Sequence, residues 1–233
     1  MTSSTRHLHE RPCLLLDFDG PICSVFSGVS SRTAVEQLVT LLESDIPAEV
    51  TADDDPFDVL AFAALLGPTI ADAIERQLAT IELDAIASAR PTPHAHNVIR
   101  TAARHGRIAI VSNNSHAAIS AYLDAHGLTE HVTGVYARTD ADPSHLKPHP
   151  YLLHAAIRGL GTTPDQCTFV GDSVTDILAG EAAAVPVIAF ANKPGKSEKL
   201  AAHVPAAIIN SMNELFSAST SPPADHHPGN IIG

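Results

Sequence analysis

CLLLDFDG, residues 13–20, begins as an unbroken apolar run and ends on two acids and a glycine. A short apolar run with no alternating polar face suits a strand buried on both sides, which is how the strands of a parallel sheet read. Similar runs follow: IAIVSN at 108–113, TGVYAR at 133–138, CTFVGD at 167–172 and VPVIAF at 185–190. Between and after them, helical periodicity predicts helices over 94–105, 115–126, 150–159 and 174–183. A short strand at 206–209 and the segment 211–216 close the pattern. Strands alternating with helices give an α/β fold, a parallel sheet covered on both faces. Ligands in such sheets bind beyond the carboxyl ends of the strands, so the residues that end each run are where chemistry is expected.

One region breaks the alternation. Residues 24–90 show only helical periodicity: Val35, Leu38, Val39 and Leu42 on one face, an apolar run from Val59 to Leu66, then Ile70, Ile74, Leu78 and Ile81. Breaks are expected at Pro47, at the acidic stretch 53–56 and at Gly67-Pro68. A segment of this size is too long for a loop and small for an independent domain. It reads as a helical lid inserted directly after the first strand. The domain plan is then a core of 12–23 and 91–216, a cap of 24–90, and polar tails at 1–11 and 217–233 whose composition predicts disorder.

Bulk properties narrow the function. With 45% hydrophobic and 17% charged residues the chain can fold on its own core. Its 14 basic residues against 26 acidic ones give a net charge of -12, which disfavours nucleic acid as a partner. Neither a signal-peptide core nor a membrane span is evident, and cytoplasmic residence is the expectation. Cys13, Cys23 and Cys167 lack metal-ligand spacing and are expected to be reduced and structural.

Asp17 and Asp19 meet at the end of the first run, where Gly20 permits a tight turn. Two like charges held close require a cation or a shared proton. Phosphoryl transfer can use such a pair, one carboxylate as nucleophile and the other as general acid and base. Ser112, Asn113 and Asn114 end the second run just before a helix, where a hydroxyl and free N–H groups can hold an anion. Lys147, the first lysine in the chain, precedes Pro148 on a polar stretch and can serve as a point charge for phosphate. The fourth run ends Gly171-Asp172-Ser173, with Asp176 following in the next helix. With Asp17 and Asp19 these acids offer the oxygen donors that suit magnesium.

Taken together, DFDG at 17–20, SNN at 112–114, KPHP at 147–150 and GDSVTD at 171–176 resemble, in order, the motifs of the haloacid dehalogenase-like (HAD) superfamily. The resemblance spans about residues 12–216 and implies a Rossmann-like parallel-sheet core with a C1-type helical cap. It implies a Mg2+-dependent phosphatase with Asp17 as nucleophile and Asp19 as general acid and base whose backbone carbonyl also meets the metal. Ser112, Asn113 and Lys147 would bind the substrate phosphate. Asp172 would ligate the metal, and Asp176 and Ser173 would support that ligation from behind. Pro21 stands where Thr or Val is usual, and Ser24 where an Asp is common, both at the cap hinge.

The family's dehalogenases lack an acid at the position of Asp19. Its phosphonatases use a cap lysine, and its sugar phosphomutases use cap histidine and lysine; residues 22–90 contain neither. Phosphomutase activity and a non-catalytic binding module remain the alternatives to a phosphatase. Within 22–90 there are seven Asp and five Glu against three Arg, a balance of 3 − 12 = −9. An acidic lid favours a small phosphorylated metabolite whose other end is neutral, hydroxylated or an amine, such as a sugar or aminosugar phosphate. The competing reading leaves these acids on solvent faces.

Overall fold

The structure is a computed structural model that describes residues 11–216; the tails read as disordered lie, apart from Arg11, outside the described residues. The chain runs β1 (Cys13–Leu16), β2 (Cys23–Ser24), α1 (Ser31–Val39), α2 (Pro56–Leu66), α3 (Pro68–Ile86) and β3 (Arg90–Pro91). It continues through α4 (Ala95–Ala102), β4 (Arg107–Ser115), α5 (His116–Ala125), β5 (Gly134–Arg138) and α6 (Tyr151–Gly159). The last elements are β6 (Cys167–Gly171), α7 (Val174–Ala182), β7 (Val187–Phe190), α8 (Lys196–Ala201) and β8 (Ala207–Ile209).

Six strands form one all-parallel sheet in the order β5-β4-β1-β6-β7-β8. Each strand is apolar on both sides because each side meets a helical layer. Leu14, Leu16, Ile108 and Ile110 face one core with Val98, Ile99, Ile119 and Tyr122 of α4 and α5. Cys13, Leu15, Ala109 and Val111 face the other with Leu153, Ile157 and Ile177 of α6 and α7. The two-residue alternation along β1 and β4 thus divides the apolar residues between two cores. Central β1 is flanked by β4 and β6, so the chain leaves it on one side and returns on the other. That reversal opens a crevice at the carboxyl end of β1.

The cap is helical and inserted after β1. Its own core joins Val35 and Leu38 of α1, Val59, Leu60 and Ala63 of α2, and Ile74, Leu78 and Ile81 of α3, with Leu146 of the sheet domain packed against them. Helix α2 begins where Asp55 accepts a hydrogen bond from Phe57 N. It ends at Gly67, whose φ of +131° breaks the helical path before α3 starts at Pro68.

Two details differ from the sequence expectations. β2 and β3 pair antiparallel at the cap's base, Cys23 with Pro91 and Ser24 with Arg90, a ladder too short for periodicity to register. Helix α8 was not expected, since in six residues it buries only Leu200. All three cysteines are buried thiols; Cys13 and Cys167 lie side by side on β1 and β6 without a disulfide between them. Among the described residues, no helix is long and apolar enough to cross a membrane.

Candidate active site

The carboxyl end of β1 turns sharply. Ile22 N and Cys23 N both donate to Phe18 O, Gly20 N donates to Cys23 O, and Gly20 adopts a φ of +102°. A side chain on Gly20 would have its Cβ 2.3 Å from the Asp172 carboxylate. Glycine is required there by both the backbone angle and the close approach. The turn places Asp17 and Asp19 differently. Asp17 points into the crevice, nearly buried, with Oδ1 accepting from Phe18 N at 2.8 Å. Asp19 Oδ1 accepts from Val25 N at 2.9 Å, which ties its carboxyl to the cap hinge.

Lys147 is 6% exposed, and its Nζ lies 2.8 Å from Asp17 Oδ1 and 2.6 Å from Asp176 Oδ1. Its backbone is held in turn by Asn113, whose Oδ1 accepts from Lys147 N and whose Nδ2 donates to Lys147 O. The Asn113 side chain therefore fixes the lysine and is not directed at a ligand, which leaves the backbone around it as its contribution to an anion site. Ser112 Oγ donates to Asn114 Oδ1 at 3.2 Å, and the strand is irregular between Ser112 and Ser115 before α5 begins.

On β6, Asp172 follows a glycine that has no room for a side chain, because a Cβ on Gly171 would meet Asp176. Ser173 and Asp176 form a reciprocal cap at the start of α7. Asp176 Oδ2 accepts from Asp172 N, Ser173 N and Ser173 Oγ, and its Oδ1 receives Lys147, so both oxygens are committed to orienting neighbours. Asp172 Oδ2 receives Lys196 Nζ at 2.5 Å and Asn192 Nδ2 at 3.0 Å.

Asp17, Asp172 and Asp176 bring carboxylate oxygens within 4.8 Å of one another. A hard divalent cation fits this donor set. Among the described residues no hydrogen bond engages Asp17 Oδ2 or Asp172 Oδ1, whereas Asp176 is fully engaged. Burial raises the Asp17 carboxyl to about 7 against the pull of Lys147. Burial likewise raises Asp19 to about 6, against its bond from Val25 N. Both shifts reflect carboxylates removed from water with too little positive charge beside them.

Asp17, Asp19, Ser112, Asn113, Lys147 and Asp172 line a cavity of about 520 Å³ between cap and sheet. Its cap wall includes Phe26, Phe57 and the acids Asp53, Asp54, Asp55 and Asp58. So four of the cap's twelve acids border the cavity, and three of them, Asp53, Asp55 and Asp58, are solvent-exposed at its mouth.

Sequence reading missed four residues bonded to this site. Asn192 and Lys196 follow the carboxyl end of β7, the edge where ligands are expected, and that position was their one signal. Glu82 and Arg138 are fully buried charges; Glu82 sits on the apolar stripe of α3 beside Leu78 and Ala85, where an acid is out of place.

The comparisons with known proteins agree with this architecture. The profile of the family described as haloacid dehalogenase-like hydrolase matches residues 13–184, and the chain belongs to that family. A phosphoglycolate phosphatase of Salmonella paratyphi A is 30% identical over 119 residues, 51% of this chain and 46% of that protein. The chain thus spans about half the length of the first curated relatives it matches. A phosphoglycolate phosphatase of Rhodospirillum rubrum is 28% identical over 188 residues, 75% of this chain and 77% of its own. Among solved structures, CbbY from Rhodobacter sphaeroides in complex with phosphate superposes with a TM-score of 0.68 at 20% identity, covering 88% of this chain and 96% of that one. At that identity the likeness concerns the fold.

Proposed function

We propose that the chain is a Mg2+-dependent phosphatase that hydrolyses a small phosphorylated metabolite through a phospho-aspartyl intermediate on Asp17. The observation that carries this reading is a buried lysine 2.8 Å from a buried aspartate at the end of the central strand, with two further acids lining the same cavity. Lys147 can hold a transferring phosphoryl oxygen while the Asp17 carboxylate attacks phosphorus. As the ester P–O bond breaks, Asp19 gives its proton to the leaving oxygen. A carboxyl raised to about 6 is suited to holding that proton near neutrality. In the second half Asp19 takes a proton from water as the water oxygen attacks phosphorus. The bond from phosphorus to Asp17 breaks and inorganic phosphate leaves. A magnesium ion held by Asp17 and Asp172 would neutralise charge on the transferring oxygens. Asp176 and Ser173 would keep Asp172 and Lys147 in place.

The finer reading of the substrate rests on the cap wall. Asp53, Asp54, Asp55 and Asp58 border the cavity with no cap lysine near them, which favours a leaving group that is neutral or carries an amine, such as a sugar or aminosugar phosphate. The phosphoglycolate phosphatases among its relatives support a small metabolite as substrate.

A screen of phosphorylated metabolites for phosphate release tests the proposal. Activity should vanish with EDTA, return with Mg2+ and return poorly with Zn2+, since the donors are hard oxygens. Undiminished turnover in a metal-free preparation would remove the metal from the proposal, and no release from any phosphate ester would remove the activity.

A further inference from the structure

One buried acid, one half-buried acid and a buried arginine tie the cap to the sheet domain. Glu75 and Glu82 stand seven residues apart on α3 and therefore on one face. Arg138, at the end of β5, reaches both: Nη1 lies 2.7 Å from Glu75 Oε1 and Nη2 lies 2.6 Å from Glu82 Oε2. Arg138 and Glu82 side chains are 0% exposed, and Glu75 is 14% exposed.

This cluster continues into the loop that ends β4. Glu82 Oε2 also accepts from Ser115 N at 2.8 Å, and Glu82 Oε1 accepts from Asn114 Nδ2 at 3.0 Å. Arg138 Nε donates to Asn113 O at 3.0 Å. Every residue from Asn113 to Ser115 is thus bonded to the Glu82–Arg138 pair. The path runs on through the Asn113 side chain to the Lys147 backbone and through Lys147 Nζ to Asp17.

An ion pair of this kind is an expensive way to fasten two domains. Removing both charges from water costs several kcal/mol per ion, and an apolar contact of the same volume would hold the cap as well. The extra property of the charged pair is direction, since it fixes donors and acceptors of the phosphate loop at set angles. Resting on the phosphatase reading, we propose that Glu82 and Arg138 are positioning residues for phosphate binding. The cap helix holds the Ser112–Ser115 loop and, through Asn113, the backbone of Lys147 in their binding geometry.

The test is binding of inorganic phosphate and of orthovanadate, measured by calorimetry with Mg2+ present, on the full chain. Glu82→Gln keeps the shape but turns an amide N–H toward a site where all three partners donate. Its Kd for either anion should rise about 10- to 100-fold, as for other residues that orient ligand-binding groups. Glu82→Asp, which keeps the charge, should recover part of that loss. Glu75→Gln removes the charge from the same arginine's other contact without touching the loop. It should lower the melting temperature while leaving both Kd values unchanged.

Should Glu82→Gln fail to fold, Arg138→Lys, which keeps the charge but loses the fork to Asn113 and Glu82, reads the same quantity. A folded Glu82→Gln with wild-type anion affinity overturns the proposal. So does a Glu75→Gln protein that weakens binding as much as Glu82→Gln, because cap docking alone would then account for the effect. Wild-type protein that binds phosphate but releases none from esters would sink the phosphatase reading and leave the positioning role standing. Wild-type protein that binds neither anion overturns both.

Discussion

Lys147 is where most of the site's electrostatics meet, because among the described residues it is the cation touching both Asp17 and Asp176. Replacing it with methionine leaves two buried carboxylates facing each other without compensation. Lys147→Met should lower kcat by about 10²- to 10³-fold, the scale of losing one charge-stabilising donor. It should also cost about 3–5 kcal/mol of stability, the usual consequence of orphaning a buried charge. Initial rates and urea unfolding check the two effects separately. Asp17→Asn makes the opposite combination. An amide fills the same volume but cannot attack phosphorus, so multiple turnover should disappear while the thermal transition stays at or above the wild-type value. Wild-type turnover by that variant would end the assignment of the nucleophile.

At the scale of elements, α4 and α5 carry a cluster that plays no part in the chemistry proposed here. His96 Nε2 lies 2.9 Å from the Tyr122 hydroxyl, and the His126 ring stacks obliquely on both. Tyr122 packs edge-on against Phe18, the residue between the two catalytic candidates on β1. Burial, His126 and Arg100 hold His96 below the ordinary histidine value of 6.5. The unfolded chain therefore takes up a proton that the folded protein resists. Stability from this source is complete above pH 6.5 and is lost as pH falls toward the depressed folded value. Thermal melts between pH 8 and pH 5 should show the wild type losing more than His96→Gln, which can still bond the tyrosine but does not titrate. Parallel curves would mean that the cluster makes no contribution to acid sensitivity.

For the whole molecule, the distribution of charge is the property that reaches function. The cap holds −9 of the chain's −12, and part of that charge borders the cavity. Glu36 is paired with Arg32, and Glu75 and Glu82 with Arg138, whereas the acids at 53–55 and 58 have no basic partner among the described residues. An aminohexose phosphate should therefore exceed its matched hexose phosphate in kcat/KM by about two- to fivefold, the range of exposed charge pairs. The advantage should shrink as salt rises and the screening length falls below about 10 Å. Multiply anionic nucleotides as the best substrates would show that the acidic wall does not select.

The sequence alone determined the parallel sheet, the order of the four motifs and the insertion of a helical cap after the first strand. Those features are written in local periodicity, and a doubly buried strand such as 13–16 admits no polar residue until its carboxyl end. Asp17 and Asp172 could be named because strands of this fold must present their chemistry at one edge, and Lys147 because it is the chain's first lysine, alone on a polar loop before Pro148. Only the tertiary structure decided which groups those residues touch. The Asn113 side chain turns out to fasten Lys147, both Asp176 oxygens are spent on neighbours, and Lys196 on an unforeseen helix holds Asp172. Glu82 and Arg138 are 56 residues apart in the chain and belong to different domains. No local pattern encodes their pairing, because a buried charge is tolerable only beside a partner that the fold alone brings within reach.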